Sequence, residues 1–145
     1  MTEYKIIRYL QLAKNACNFS NNRRTRVGAV LVYRNRVVSV GWNEEDKTSP
    51  IQAEYNRLRG YDPNAPNQKN SIHAEMSCML KLRHMDIDWA KCDLFVCRLL
   101  KDGTTAMSRP CAACMGYAVN LGIKNFYYTT GPNAWAYEKV IPTET

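Results

Sequence analysis

Apolar positions along the chain mark out its elements. Ile6, Leu10, Ala13 and Cys17 recur at helical spacing, which predicts an amphipathic helix over residues 3–18. Val27 to Tyr33 is a short apolar, β-branched run. Arg34-Asn35 can turn the chain and Arg36 to Trp42 is a second such run, so the pair reads as a hairpin. From Asn43 to Asn70 the chain is polar and broken by Pro50, Gly60, Pro63 and Pro66, with room for a short helix over Ile51–Arg59. An excursion of that length has the character of a functional lid.

A helical pattern restarts with Ile72, Met76, Met79, Leu80 and Leu82, with Asn70 or Ser71 placed to cap it. Asp93 to Leu100 reads as a third strand that ends at the turn sequence Lys101-Asp102-Gly103. Pro110 to Leu121 reads as a helix with proline in its first turn and Gly122 as terminator. Asn125 to Thr130 is a fourth strand, and Gly131-Pro132-Asn133 breaks the chain before an expected short helix near 134–140. This order predicts an α/β fold, a three-layer α/β/α sandwich whose mixed sheet has an antiparallel first hairpin and parallel later strands.

Composition narrows the class. The chain has 145 residues, 46% hydrophobic and 23% charged, which suits one globular domain over 1–145 and excludes disorder. No apolar run is long enough for a membrane span, and the start Met1-Thr2-Glu3-Tyr4-Lys5 lacks a signal core, so a cytoplasmic protein without membrane contact is expected. The formal charge of +7 attracts anions. Its densest stretch is Arg23-Arg24-Thr25-Arg26, followed by Arg34 and Arg36, and the rest is scattered. Six cysteines in such a chain point to metal or catalysis rather than to disulfides. Cys17, Cys78, Cys92 and Cys97 sit among apolar residues and read as core thiols.

Candidate chemistry sits at two helix beginnings. His73-Ala74-Glu75 opens one, and Pro110-Cys111-Ala112-Ala113-Cys114 opens the other. One imidazole and two thiolates suit zinc with a fourth position open. The three-residue spacing puts both thiols on one face of a first helical turn, where unpaired N–H groups favour ionised sulfur. Two thiolates and a neutral imidazole cancel the charge of the metal, so it polarises water less than an all-histidine site would. Glu75, two residues from His73, is placed to make up that deficit as general base and acid. Each half has an ordinary alternative: a satisfied helix-end histidine, or a redox pair. A redox Cys-x-x-Cys normally follows the first strand of its fold, and this one comes late. His84 reads as an exposed helix residue and a weaker substitute ligand.

His-x-Glu followed by Pro-Cys-x-x-Cys is the signature of zinc nucleobase deaminases. On it the chain resembles the cytidine and deoxycytidylate deaminase superfamily from about Leu10 to Tyr128, and the deoxycytidylate deaminases, phage types included, most. Arg26-Val27-Gly28-Ala29-Val30-Leu31-Val32 is similar to the first strand of deoxycytidylate deaminases and transfer-RNA adenosine deaminases. Gly41-Trp42-Asn43 resembles the segment whose asparagine contacts the substrate sugar, and Gly122 to Tyr128 resembles the passage from helix to parallel strand. The resemblance implies zinc held by His73, Cys111 and Cys114, Glu75 as proton shuttle, the Ala74 backbone reading the base and Asn43 binding the sugar. It also implies a homo-oligomer. Departures from the family are a long insertion at about 44–70, a rim insertion at about 99–109 and a short C-terminal end, where the family's usual fifth strand is expected to be missing or reduced to a few residues near Val140-Ile141; they leave the reaction standing and bear on the substrate.

Three functions compete. The leading one is hydrolytic deamination of a free cytosine nucleotide, dCMP or a close relative, with Arg24 and Arg26 as the candidates for its phosphate. A second is deamination of cytosine in single strands or of adenosine in RNA, served by the charge and by Trp42, Tyr55 and Tyr61. A third is a silent zinc-binding interaction module. Glu75 argues against that one, since a structural site needs a fourth ligand and not a free carboxylate.

Overall fold

A computed structural model describes residues 1–22, 24–61 and 70–141. Arg23, Pro63 and Pro66 lie outside the described residues. The first helix, α1 (Glu3–Ala16), starts where the Thr2 hydroxyl accepts the Lys5 N–H at 3.3 Å, with Glu3 in the first turn. Strands β1 (Arg26–Tyr33) and β2 (Arg36–Trp42) form the expected hairpin. Its two turn residues, Arg34 and Asn35, have φ of 50° and 64°, the left-handed pair that a two-residue hairpin requires. The excursion then carries its own structure: β3 (Glu44–Thr48), α2 (Pro50–Tyr55) running into a 3-10 turn at Asn56–Arg59, and β4 (Ser71–Ile72), which pairs with β3.

The helix expected next begins later than its predicted caps. α3 spans Ala74–Leu80 with His73 itself at the N-cap, because Ser71 and Ile72 are held in β4. β5 (Cys92–Leu99) turns at Gly103, whose φ is 87°, into β6 (Thr105–Ala106), so the rim insertion is a hairpin. α4 (Ala112–Leu121) ends at Gly122 with φ of 112°, and β7 (Asn125–Gly131) follows.

After β7 the expected short helix near 134–140 is absent. In its place is β8 (Ala134–Lys139), antiparallel to β7. The reason lies in its alternation. Trp135 and Tyr137 pack with Tyr127 on one face, while Ala136 faces the other core and Glu138 lies opposite Phe126. The fifth strand is therefore present, and the parallel arrangement expected of the third and fourth strands is that of β5 with β7. The main sheet runs β2-β1-β5-β7-β8, with β6 paired to β5 beside that path.

Two apolar layers sandwich the sheet. α1 packs Ile6, Tyr9, Leu10 and Ala13 on Val30, Val32, Phe95 and Tyr127. α3 and α4 pack Met76, Met79, Tyr117 and Ala118 on Ala29, Leu31, Leu94, Val96 and Phe126. The chain thus has the expected α/β/α layering and a mixed sheet. Cys17, Cys78, Cys92 and Cys97 are buried free thiols. Burial pushes Cys78 and Cys92 up to about 12, which keeps them protonated and inert. Among the described residues no helix is long and apolar enough to cross a membrane.

Candidate active site

The two helix starts that carry the chemistry face each other on the α3/α4 side of the sheet. His73 and Cys111 occupy equivalent places, each the extended N-cap of its helix, and Cys114 follows in the first turn of α4. His73 Nδ1 lies 3.5 Å from Cys111 Sγ and 3.4 Å from Cys114 Sγ. The three ligand atoms all fall within 4.8 Å of one another. Zn–S and Zn–N bonds meeting at a tetrahedral angle would hold N and S about 3.5 Å apart, so the spacing fits zinc. The donor set fits as well. The hydrogen bond from Cys114, and His73 after it, hold the Cys111 thiol down at about 3, while the same bond and burial hold Cys114 up, so the pair offers one thiolate and one thiol whose proton a metal would displace.

Glu75 stands in the first turn of α3, outside the ligand triad, and is 5% exposed. Desolvation raises its carboxyl above the ordinary carboxylate range, against the opposing effect of His73. Outside the carboxyl end of β5 the site opens into a cleft of about 490 Å³, which His73, Ala74, Glu75, Cys111 and Asn43 all line. Asn43 is locked: its Oδ1 accepts from Ser20 Oγ at 2.6 Å and from the Val27 N–H at 2.9 Å, and its Nδ2 donates to the Thr25 carbonyl at 3.0 Å. One amide N–H of Asn43 remains for a ligand.

The region described as the cytidine and deoxycytidylate deaminase zinc-binding region matches residues 3–130. The chain belongs to this deaminase family. It is 26% identical over 125 residues to an uncharacterized deaminase in the luxG 3′ region of Aliivibrio fischeri, covering 83% of this chain and 69% of that one. In fold it is similar to the dCMP deaminase of cyanophage S-TIM5, with a TM-score of 0.63 and 22% identity over 90% of this chain and 86% of that one. It is likewise similar to the cytidine deaminase of Burkholderia pseudomallei, with a TM-score of 0.60 and 16% identity over 96% and 93%. Zinc is the cofactor of this deaminase, and the chain is a hydrolase of that type.

Other sequence candidates fall elsewhere. Arg26 is turned to the α1 face of β1 and donates to the Leu100 carbonyl at 3.3 Å, so the structure does not bring it to the cleft. Its chain neighbours Thr25 and Val27 line the cleft instead. Arg24 is exposed and also outside the lining. Of the three aromatics considered for stacking, only Tyr61 reaches the cleft. Trp42 packs on Phe19, and Tyr55 packs on Tyr117.

The deaminase site also uses residues that the sequence reading passed over. Gln52 of α2, fully buried, accepts the His73 backbone N–H at 3.1 Å and donates to Asn56 Oδ1 at 2.8 Å. Asn56 in turn donates to Asn70 at 2.8 Å. The excursion is thereby tied to the metal-ligand backbone through amides. Arg59 stacks over Tyr61 at 4.2 Å and reaches within 3.3 Å of His73 Nε2. The signal for Gln52 and Asn56 was their i, i+4 spacing, which alone does not separate a buried amide pair from an exposed one.

Proposed function

We propose that this deaminase converts a cytosine-containing nucleotide, dCMP or a close relative, to the uracil nucleotide and ammonia by hydrolysis. The observation that carries this reading is a buried carboxyl, Glu75, beside a His/Cys/Cys triad at the floor of a cleft that also presents Asn43. Zinc, when bound by His73, Cys111 and Cys114, supplies the Lewis acidity that makes water a nucleophile near neutral pH. The chain's own residues do the rest. Glu75 takes a proton from the attacking water and places it on the ring nitrogen N3. It then delivers a proton to the exocyclic nitrogen as that leaves, so one water is consumed and one ammonia released. The Ala74 N–H, at the first residue of α3 and without an intrahelical acceptor, is available to the base carbonyl. Asn43 offers its remaining N–H to the sugar. Burial of Glu75 supports the shuttle, because a carboxyl held away from water exchanges protons with the substrate rather than with solvent.

The dCMP deaminase of cyanophage S-TIM5 has also been solved with dCMP and dUMP, which favours a free nucleotide over a strand. The separation of Trp42 and Tyr55 from the cleft favours it too. The test is ammonia release with product mass from zinc-loaded protein given cytidine, deoxycytidine, CMP, dCMP, dCTP, guanine and a single-stranded oligonucleotide. Glu75→Ala should lose about 10³-fold or more in turnover while its zinc content stays stoichiometric. Turnover that survives Glu75→Ala would remove the carboxyl from the mechanism, and turnover of the oligonucleotide alone would replace the nucleotide reading with a strand.

A further inference from the structure

Alternation along β5 places Leu94, Val96 and Arg98 on the α3/α4 face and Phe95 and Cys97 on the α1 face. Arg98 is therefore the residue of β5 that reaches the cleft, opposite Val27 of β1, which lines it as well. Its side chain is half-buried and already aimed. Nε donates to Thr25 Oγ1 at 2.6 Å, and the backbone N–H of Arg98 donates to Thr129 Oγ1 at 3.3 Å. With Nε used in this way, the outer edge of the guanidinium, Nη1 and Nη2, has no hydrogen-bond or carboxylate partner among the described residues. That edge is a pair of parallel N–H donors, the shape that takes two oxygens of one phosphate.

The surroundings say which anion this is. Thr25 bridges Arg98 to Asn43: its hydroxyl holds the guanidinium, and its carbonyl accepts from Asn43 Nδ2. The group placed for the sugar and the open cation are thus held by the two ends of one residue, neighbours as a sugar and the phosphate esterified to its C5′ are neighbours. The other arginines of the cleft are placed differently. Arg109 is held by both carboxylate oxygens of Glu138, at 2.8 and 2.9 Å, and Arg59 lies at the metal end against His73 and Tyr61. Of the cleft carboxylates, Glu44 pairs with Lys47 at 3.6 Å and accepts from Trp42, and Glu75 is buried at the floor.

We propose that Arg98 binds the 5′-phosphate of the substrate and makes this cleft selective for nucleoside monophosphates over neutral nucleosides. This rests on the reading of the cleft as a cytosine deaminase, and it moves the phosphate contact from Arg24 and Arg26 to a residue on the next strand.

The experiment compares dCMP with deoxycytidine in turnover, and dUMP with deoxyuridine in equilibrium binding by calorimetry, all on the zinc-loaded full chain. Wild type should prefer the phosphorylated member of each pair by about 30-fold, the scale of a charge-assisted bidentate contact. Arg98→Gln should collapse that preference, with the loss in KM rather than kcat and with the fall for dCMP at least about tenfold larger than the fall for deoxycytidine. Arg98→Lys, which keeps the charge and loses the fork, should lie between. Arg26→Gln should leave the preference intact.

No preference in wild type, a preference that survives Arg98→Gln, or equal losses on both members of a pair would each overturn the proposal. Stronger turnover of an oligonucleotide than of dCMP would do so too. A chain that deaminates no cytosine compound would fail the underlying reading, while the binding comparison would still decide the role of Arg98.

Discussion

The two faces of the central sheet are built from the same strands, one residue out of step. On the α1 face, Val30, Val32, Phe95 and Tyr127 meet Ile6, Tyr9, Leu10 and Ala13 of the helix in an apolar layer, and the metal triad and its cleft lie elsewhere. On the other face, Ala29, Leu31, Leu94 and Val96 make an equally dry core, but it gives way toward the carboxyl end of β5 to Thr25, Arg98 and the two helix starts. Ser39, Gln52, Asn56 and Glu75, buried polar side chains, cluster with α3 or the segments packed around it. One face specifies the fold and the other spends part of its core on a site. The deciding variable is parity: Arg98 and Val27 look into the cleft, whereas Arg26 and Leu99, paired across the same strands, do not.

Two glycines test the division most strongly. Gly28 of β1 and Gly41 of β2 each let a helix backbone lie directly on the sheet, on opposite faces. A Cβ at Gly28 would run into the Ala13 carbonyl and the Cys17 N–H of the α1 side. A Cβ at Gly41 would run into the Ala74 carbonyl and lie 2.7 Å from the Cys78 N–H of α3. Backbone cannot give way as a side chain can, so Gly28→Ala and Gly41→Ala should each cost about 3 kcal/mol in urea unfolding. Their zinc affinities should then separate. Gly41→Ala shifts the turn that carries His73 and Glu75 and should weaken zinc by about tenfold or more, whereas Gly28→Ala should hold zinc within a few-fold of wild type. Equal zinc losses would mean that the faces are coupled and the division is wrong.

How much of this was legible in the sequence follows from the same geometry. The metal triad could be read because each half is local: His73 to Glu75 and Cys111 to Cys114 are helix-start patterns whose residue types and spacing carry their own chemistry. Arg98 could not be read, because β1 and β5 are continuous apolar runs buried on both faces, and such runs hide parity. Arg26 looked equivalent until the register was known. The segment 134–139 failed for a different reason. Its alternation of Trp135 and Tyr137 with Ala136 and Glu138 is a strand pattern, but Gly131-Pro132-Asn133 read as an element break rather than as the turn of a hairpin, which Asn133 makes with φ of 54°. Gln52 and Asn56 needed the fold itself, since only packing of the excursion against α4 buries them.

A smaller effect sharpens the contrast where the rim hairpin wedges between β5 and β7. The Ser108 hydroxyl donates to the Val96 carbonyl at 2.9 Å and accepts the Thr129 N–H at 2.9 Å, while Thr129 Oγ1 bonds the Ala106 carbonyl at 2.6 Å. These bonds satisfy backbone groups of β5, β6 and β7 where the β5–β7 ladder ends and the hairpin enters. Ser108→Ala removes the hydroxyl and should cost about 2 kcal/mol, the penalty for stranding buried partners. Because Ser108 lies three residues before Cys111, the variant should also release zinc faster to a chelator. A loss of stability with unchanged zinc release would confine the wedge to the fold.

The weakest contact on the site face gives the finest test. Arg109, next to the Cys111 turn, and Glu138 of β8 form a two-pronged pair, and the Tyr128 hydroxyl donates to the same carboxylate at 3.0 Å. Arg109 above all, with Tyr128, holds the Glu138 carboxyl below its ordinary value of 4.5. A lowered carboxylate stabilises the fold at pH above its unfolded value, and that contribution is lost as pH falls through the lower folded value. The side chains are 48% and 29% exposed, so water screens the pair and its worth is about 0.5 kcal/mol. Glu138→Gln should therefore unfold about that much more easily at pH 7, and its gap from wild type should close as pH drops below 4.5. High salt should narrow the gap at pH 7 in the same direction. A gap that widens on acidification would show that Glu138 matters through packing against Phe126 and Tyr128, and that the site face is held at this edge by apolar contact, as the α1 face is.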